Sequence, residues 1–471
     1  MPPGIRFILD GKVRELDGVD PTLTVLDWLR GPERRCGSKE GCREGDCGAC
    51  TVVLAELHRG ELRYRAVNAC ILFVPALDGK ALLTVESLSA PGEALHPVQQ
   101  ALVDCHASQC GFCTPGFVMS LLALHESEPA PSRTRIDEVL AGNLCRCTGY
   151  RPIVAAAGQA CGRGDRGDLA AHQAVLAAQL RGITRSGTLE LQHGERRLFA
   201  PRTADALAEL VLRHPGAHLV AGGTDVGLWV TKQHRELDTL VHLGGVEELA
   251  EATVTGTHVE IGAAATYTDV LAAVSGVIPA LASLVRRIGS QQIRNAGTLV
   301  GNVANASPIG DTLPALLALG ASAVLRRGVA RREIPLDEFF LGYRKTALGP
   351  GEFIERVRIP LPAEGVRFAT YKVSKRFDQD ISAVCGAFAL RLVNGRVKEA
   401  RLCYGGMAAI PKRARACEAA LSGRAWNEAT VASVLPLLDA EFTPLSDMRA
   451  SAGYRRLVAR NLLRKFQAEG T

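Results

Sequence analysis

Gly41-Cys-Arg-Glu-Gly-Asp-Cys-Gly-Ala-Cys50 is the stretch whose reading decides this chain. It carries C-x4-C-x2-C, the spacing of a plant-type [2Fe–2S] centre, and Cys70 follows after nineteen intervening residues. Such a loop must bring main chain close to sulfur. Gly41, Gly45 and Gly48 lie beside Cys42, Cys47 and Cys50 as that requires. Clustered backbone N–H dipoles favour the thiolate, the form that binds iron. Zinc, or plain buried cysteines, is the bland alternative for this set. Cys36 lies outside the pattern and reads as a bystander.

A second set follows: Cys110 and Cys113 as C-x2-C, then Cys145 and Cys147 as C-x-C, separated by thirty-one residues. Pro115 and Pro152 suit the first turns of helices. If those helices lie side by side, each cysteine pair precedes a helix N-terminus, whose positive dipole end favours an anionic thiolate site. Alone this set could also hold zinc. Beside a ferredoxin-type loop it points to one-electron traffic.

Outward from these sets, 471 residues exceed one core and predict three or four domains. Hydrophobic content of 47% and charged content of 22% are those of a globular protein. A net charge of +6, with Lys and Arg scattered, gives no nucleic-acid footprint. The first residues do not read as a signal peptide, and no apolar run reaches the ~18 residues of a spanning helix. The expectation is a cytoplasmic protein without membrane contact, whose 14 cysteines stay reduced.

Ile5–Leu9 reads as a strand, Asp10-Gly11 as a hairpin turn, and Val13–Leu16 as its return. Thr24–Leu29 reads as a short helix, and Thr51–Leu57 and Arg63–Val67 as strands, a β-grasp-like pattern. From His96 to about Ala160 the pattern is helical, with Thr114 as an N-cap and Phe117, Val118, Leu121 and Leu124 on one face. Beyond Thr188 it is mixed. Leu219–Ala221, Thr298–Asn302, Ala321–Leu325, Ala383–Leu392 and Val397–Tyr404 read as strands, and helices end the chain. The predicted domains are 1–88 (ferredoxin-like), 89–160 (helical), a linker at 161–187, 188–362 (flavin-binding) and 363–471 (C-terminal).

No glycine fingerprint follows a strand and opens a helix in the manner of a Rossmann site. Instead the chain has Leu219-Val-Ala-Gly-Gly-Thr-Asp-Val226 and Gly297-Thr-Leu-Val-Gly-Asn-Val-Ala-Asn-Ala-Ser-Pro-Ile-Gly-Asp311. Loops of this composition offer N–H and hydroxyl donors to a pyrophosphate, but alone each also reads as an ordinary surface turn. Cys105, Cys161, Cys385, Cys403 and Cys417 show no ligand spacing. Pro215-Gly216 argues against a helical metal pair of His214 and His218.

Three stretches together, Gly41–Cys50, Gln109-Cys-Gly-Phe-Cys-Thr-Pro-Gly116 and Asn143-Leu-Cys-Arg-Cys-Thr-Gly-Tyr150, resemble the signatures of the molybdenum hydroxylases, the family of xanthine dehydrogenase and aldehyde oxidase. The resemblance covers nearly the whole chain, and 161–187 least. It implies a multidomain α+β protein: a β-grasp ferredoxin-like domain, a helical [2Fe–2S] domain, an FAD domain of the vanillyl-alcohol oxidase/PCMH type, and a C-terminal α+β flavoprotein domain. It implies two [2Fe–2S] clusters, on Cys42, Cys47, Cys50 and Cys70 and on Cys110, Cys113, Cys145 and Cys147. It also implies FAD on Leu219, Val220, Ala221, Gly222, Gly223, Thr224, Asp225 and Val226, on Thr298, Leu299, Val300, Gly301 and Asn302, and on Asp311 and Lys372. Where the family often has Gly-Gly-Asn, this chain has Val300-Gly301-Asn302, and some relatives carry an aromatic residue near Ile288.

By the same resemblance the chain is the small subunit of a xanthine dehydrogenase-like enzyme. A larger subunit carries the molybdenum pterin, which Gln109 hydrogen-bonds, in a heterotetramer of two small and two large subunits. Electrons from oxidation of hypoxanthine or xanthine to urate pass through the helical-domain cluster, then the ferredoxin-like cluster, to FAD and NAD+. Catalytic residues on this chain are none beyond bound FAD. The alternatives are a subunit of an aldehyde or N-heterocycle hydroxylase, a stand-alone iron–sulfur flavin reductase, and a zinc-stapled binding protein. Oxygen in place of NAD+ also remains open.

Overall fold

The hairpin of β1 (Ile5–Leu9) and β2 (Lys12–Leu16) turns at Asp10 and Gly11, both at positive φ (52° and 70°). A two-residue turn of this hand matches the twist of the flanking strands. In the computed structural model, which describes residues 4–89, 92–162 and 169–470, the chain forms two compact units. The first holds Met1–Leu210, Gly216–Val246 and Gly289–Gly297; the second holds Val211–Pro215, Glu247–Ile288 and Thr298–Thr471.

In the first unit, β1 and β2 join β3 (Thr51–His58), β4 (Glu61–Asn68) and β5 (Ala81–Leu83) in a sheet of order β2-β1-β5-β3-β4, the β-grasp expected. Helix α1 (Val25–Arg30) starts where Thr24 Oγ1 accepts from Asp27 N at 3.1 Å. Its Val25, Leu26, Trp28 and Leu29 are buried against β1 and the chain after β4. Trp28 meets Phe7 edge-on, centroids 5.4 Å apart.

The helical domain consists of α2 (Pro97–Asp104), α3 (Thr114–Ser127), α4 (Arg133–Leu140) and α5 (Arg151–Gly162). The expected N-cap of α3 is one residue off. Thr114 is already helical and Cys113 holds the cap position, because the first helical hydrogen bond, Phe117 N to Cys113 O at 3.2 Å, begins one residue earlier. Val53 of β3 packs in the same core as Phe117, Leu121 and Ile153, so the two cysteine-bearing domains share apolar contact.

Helix α6 (Leu169–Ile183) occupies most of the expected linker. Leu180 and Ile183 are buried with Ile8, Ala55 and Ala81, closing the second face of the β-grasp sheet. Burying a leucine in this way stabilises by roughly 1.5–3 kcal/mol. Gly162–Gly167 matches the letters of G-x-G-x-x-G, but it follows α5 rather than a strand, and 163–168 lie outside the described residues.

A four-stranded sheet, β6 (Leu189–His193), β7 (Arg196–Ala200), β8 (His218–Val220) and β9 (Thr239–His242) in the order β6-β7-β9-β8, completes the first unit. Its Leu189, Leu198, Val220 and Leu240 join one core with Phe7, Val52 and Cys70.

The second unit has, besides the short antiparallel pairing of Phe340–Gly342 with Lys345–Thr346, two larger sheets. One orders Ala252–Val254, His258–Gly262, Phe353–Pro360, Ser322–Arg327 and Ala330–Pro335; the other orders Val366–Val373, Val384–Val393, Arg396–Gly405 and Lys412–Arg413. Helices Glu428–Glu441 and Ala452–Ala468 cover the latter, with Phe388, Tyr404, Phe442 and Phe466 in its core. One expectation fails here. Thr298–Asn302 is no strand: Leu299–Asn305 is helical, because Thr298 Oγ1 accepts from Gly301 N at 3.0 Å and caps the turn. Val300 is buried on that helix. Among the described residues no helix is long and apolar enough to cross a membrane.

Candidate functional site

The loop between α1 and β3 wraps its cysteines with backbone donors. Cys42 Sγ accepts from Glu44 N at 3.4 Å and from Asp46 N and Cys47 N at 3.3 Å; Cys47 Sγ accepts from Cys42 N at 3.4 Å. Side-chain bulk is excluded where it would intrude: a methyl on Gly41 would lie 2.8 Å from Cys47 Sγ. Gly45 and Gly48 sit at φ +77° and +71°, which a β-carbon disfavours. Arg43 spans to Asp27 of α1 at 2.7 Å and to Glu40 at 3.2 Å, tying the loop to the helix.

Cys50 and Cys70 lie buried beneath, and Asn68 Nδ2 approaches Cys50 Sγ at 3.9 Å. The four sulfurs converge, and each acts on the ionisation of its neighbours. Donation from the Cys47 and Cys70 thiols, then from backbone amides, drives Cys42 far below the ordinary thiol range. Cys70 likewise draws Cys50 down, while Cys47 and Cys70 are driven up. Four convergent sulfurs in a cradle of N–H groups are a donor set that fits a [2Fe–2S] core.

The second set converges at the surface. Cys113 lies within hydrogen-bonding reach of Cys145, and Cys110 of Cys147. Burial, with Cys145 as neighbour, pushes the Cys113 thiol up to about 12. Burial also acts to raise Cys145, but the Thr148 hydroxyl, 3.2 Å away, and nearby amides outweigh it and bring that thiol down. The Cys147 thiol is raised by its hydrogen bond with Cys110. Cys145 N donates to Tyr150 Oη at 2.9 Å, and Gln109 Nε2 to Cys147 O at 3.1 Å. Cys110 and Cys147 are exposed, as are Phe112, Leu144 and Tyr150 around them.

The two sets meet through the main chain. Leu144 N, adjacent to Cys145, donates to Cys47 O at 3.0 Å. Methyls on Gly48 or Gly116 would collide with backbone of the facing loop, Gly142 O and Gly48 O respectively. Asn143 Nδ2 donates to Gly48 O at 3.1 Å.

Of the residues expected at FAD, Leu219 to Val226 run from the end of β8 into the helix Val226–Thr231 in the first unit. Gly223 takes φ +72°, and a methyl on Gly222 would collide with Ala296 O. In the second unit, Asn302 Oδ1 accepts from Thr312 Oγ1 at 2.6 Å. Asp311 Oδ2 accepts from Lys372 Nζ at 2.5 Å and Asp311 Oδ1 from Ser382 Oγ at 2.5 Å, while Lys372 O accepts from Arg287 Nη1 at 3.1 Å. The sequence reading missed Ser382, Asn68 and Thr148. Thr148 lies inside the Asn143–Tyr150 stretch, Asn68 stands two residues before Cys70 and Ser382 just before the Ala383–Leu392 strand, but a lone Ser, Asn or Thr carries no spacing signal.

Among the described residues one further group has metal-ligand chemistry: His96, His125 and Glu126, with ligand atoms within 4.8 Å of one another. It does not read as a metal centre. His96 Nδ1 accepts from Val98 N at 3.2 Å as the N-cap of α2. That places the neutral ring's proton on Nε2, the atom a metal would need bare.

Four family models match the chain: a 2Fe-2S iron–sulfur cluster binding domain at residues 7–75, a [2Fe-2S] binding domain at 84–158, an FAD binding domain in molybdopterin dehydrogenase at 192–362, and a CO dehydrogenase flavoprotein C-terminal domain at 369–469. Xanthine dehydrogenase of Emericella nidulans is 34% identical over 98% of this chain, and xanthine dehydrogenase/oxidase of Gallus gallus 31% over 93%. The chain spans 38% of the length of each. Among solved structures, carbon monoxide dehydrogenase from Hydrogenophaga pseudoflava, which lacks the Mo-pyranopterin moiety of its molybdenum cofactor, matches with a TM-score of 0.54 and 28% identity. The match covers 57% of this chain and 94% of that one. Reconstituted CO dehydrogenase from Oligotropha carboxidovorans matches with a TM-score of 0.53 at 26% identity, covering 56% and 94%.

Proposed function

The chain belongs to the molybdenum hydroxylase family as its iron–sulfur and FAD domains, and on that premise we propose that it is the electron-transfer subunit of an NAD+-dependent xanthine dehydrogenase. The observation that carries the reading is the meeting of two four-thiolate sites, joined by the Leu144 N to Cys47 O hydrogen bond, on a chain that also holds an FAD domain. Relatives named xanthine dehydrogenase that match 98% of the chain support the purine substrate.

Cys42, Cys47, Cys50 and Cys70 hold one [2Fe–2S] cluster, and Cys110, Cys113, Cys145 and Cys147 the other. When bound, the clusters supply one-electron chemistry, and FAD links single electrons to the two-electron reduction of NAD+. The residues of this chain hold and tune. Backbone amides of Glu44, Asp46 and Cys47 stabilise charge on Cys42. The loop with a buried floor and the exposed helical-domain site give different environments, so the two potentials differ. FAD is held by the domain matched at residues 192–362. The exposed face bearing Gln109, Phe112, Leu144 and Tyr150 docks a molybdenum-pterin subunit, with Gln109 toward the pterin. Two such pairs make a heterotetramer, in the cytoplasm.

The test is co-expression with the molybdenum-pterin partner and assay of xanthine oxidation with NAD+ or oxygen as acceptor. Xanthine-dependent NADH formation is expected. Activity confined to aldehydes or N-heterocycles supports the second reading, a sister enzyme of the family, which the carbon monoxide dehydrogenase matches favour. A colourless, iron-free native protein overturns both.

A further inference from the structure

The nine residues Gly289–Gly297 pack with the two cysteine-bearing domains in the first unit, although the chain on either side of them belongs to the second. They form one short helix, Gln291–Arg294, capped by Ser290 Oγ accepting from Ile293 N at 3.2 Å. Polar contacts pin both ends. Arg135 Nη1 of α4 donates to Gln291 Oε1 at 3.1 Å, and Asn295 Nδ2 donates to Ala66 O of β4 at 2.9 Å. Ile293 packs against Gly45 in the first cysteine loop.

Between those anchors lies Gln292, 1% exposed. Its Nε2 is 3.3 Å from Thr51 Oγ1, 3.1 Å from Ser120 Oγ and 3.0 Å from Asn143 Oδ1. Thr51 follows the ligand Cys50, and Thr51 Oγ1 donates to Gly48 O at 2.6 Å. Asn143 stands two residues before the ligand Cys145, and Ser120, which donates to Asn143 Oδ1 at 2.7 Å, is on α3 behind Cys113. One buried amide therefore reaches acceptors on both ligand-bearing loops. Among the described residues its Oε1 has no partner, and it faces Gly142, where any β-carbon would collide with it. Burying an amide oxygen unpaired costs free energy that ordinary packing would avoid with leucine.

Resting on the proposed function, we propose that Gln292 is a positioning residue: it fixes the separation of the two cluster loops and so maintains the Leu144 N to Cys47 O contact between them. With clusters held by Cys110, Cys113, Cys145 and Cys147 and by Cys42, Cys47, Cys50 and Cys70, the exchange between the two sites would be of one electron at a time, lost by the first and gained by the second, with no bond made or broken. The same segment carries Ala296 near its end, against which Gly222 of the expected flavin loop is closely packed. Glutamine suits the position because it reaches both loops with two N–H donors; asparagine is one methylene shorter and glutamate has no donor.

The experiment compares wild-type protein, Gln292→Leu and Gly142→Ala, all loaded with iron, sulfide and FAD. Gln292→Leu keeps the bulk and removes the donors. Gly142→Ala keeps the glutamine and drives its amide out. Two readouts are taken: the magnetic splitting between the two reduced clusters in low-temperature EPR, and hydrogen exchange of the peptide containing the Leu144 amide. Expected in both variants are wild-type iron, sulfide and FAD contents, an altered splitting, and Leu144 exchange faster by about tenfold, the effect of losing one well-made hydrogen bond. The double variant adds nothing to either single one.

Splitting and exchange both unchanged in the variants overturn the role of Gln292 and leave the proposed function standing. Loss of cluster content in both variants also overturns it, because the residue then serves assembly and not positioning. Wild-type protein without EPR-active clusters overturns the proposed function instead, while the exchange comparison still decides whether Gln292 holds the loops.

Discussion

Lys372 Nζ lies 2.5 Å from Asp311 Oδ2, with both side chains more than nine-tenths buried. An ion pair so placed gains little over apolar packing, but it becomes very unfavourable when halved. Ser382 Oγ is the other side-chain group hydrogen-bonded to this carboxylate. Lys372→Met is therefore expected to destabilise the second unit by about 3–5 kcal/mol, whereas Lys372→Met combined with Asp311→Asn recovers most of that loss. Urea denaturation followed by tryptophan and flavin fluorescence measures it. Equal midpoints for the single and double variants would show that the buried charge is not the cause.

Each four-thiolate set is expected to load on its own. Cys147→Ser should lower the metal content from about four to about two irons per chain and abolish purine-to-NAD+ flow with the partner present, and Cys47→Ser should remove the other pair. Iron and acid-labile sulfide analysis, with EPR to identify the surviving cluster, checks this. Retained flow in Cys147→Ser would show that the proposed relay order is wrong, because that site is then not an obligatory step.

Gly48 has two reasons to be glycine, and they separate experimentally. Its φ of +71° costs a β-carbon roughly 1–2 kcal/mol, and that carbon would also strike Gly142 O. Gly60, in the hairpin between β3 and β4, has φ +85° with open space around it. Gly60→Ala should thus show the backbone penalty alone. Gly48→Ala should exceed it and also lose cluster, as read by thermal denaturation and absorbance of the purified variants.

Acid should weaken the helical domain through His96. Burial, then the neighbouring His125, lowers its pKa to about 4 from 6.5, against the opposing pull of Glu126. The folded form prefers the neutral ring, whose Nδ1 caps α2. The stabilisation is thus complete above pH 6.5 and is lost as pH falls from there toward 4. His96→Asn keeps a cap without a titrating group, so its urea midpoint should fall less between pH 7 and pH 4.5 than the wild type's. Parallel losses would exclude His96 as the source.

The cysteine sets, the β-grasp strands and the helical domain were legible because their signals are local. Ligand spacing, the Asp10-Gly11 turn and the prolines at helix starts each act within a few residues. The stretch Thr298–Asn302 was misread because β-like residues at its start, Thr298 to Val300, hide a cap that only Gly301 N completes. Helix α6 went unread because its apolar residues, Leu176, Leu180 and Ile183, declare a face only once the β-grasp sheet offers one.

The sequence by itself determined which cysteines are local neighbours: spacings of four, two and one residues hold them on one bend of chain, and glycines beside them let backbone N–H groups turn inward. What only the tertiary structure decided is how the two centres meet. Cys47 and Leu144 are far apart along the chain, and their hydrogen bond exists because Gly48, Gly116 and Gly142 let two backbones touch. Gln292, more distant still, is delivered to that junction by the packing of Gly289–Gly297. Contacts between segments so far apart in sequence are set by packing and burial, which no local spacing encodes.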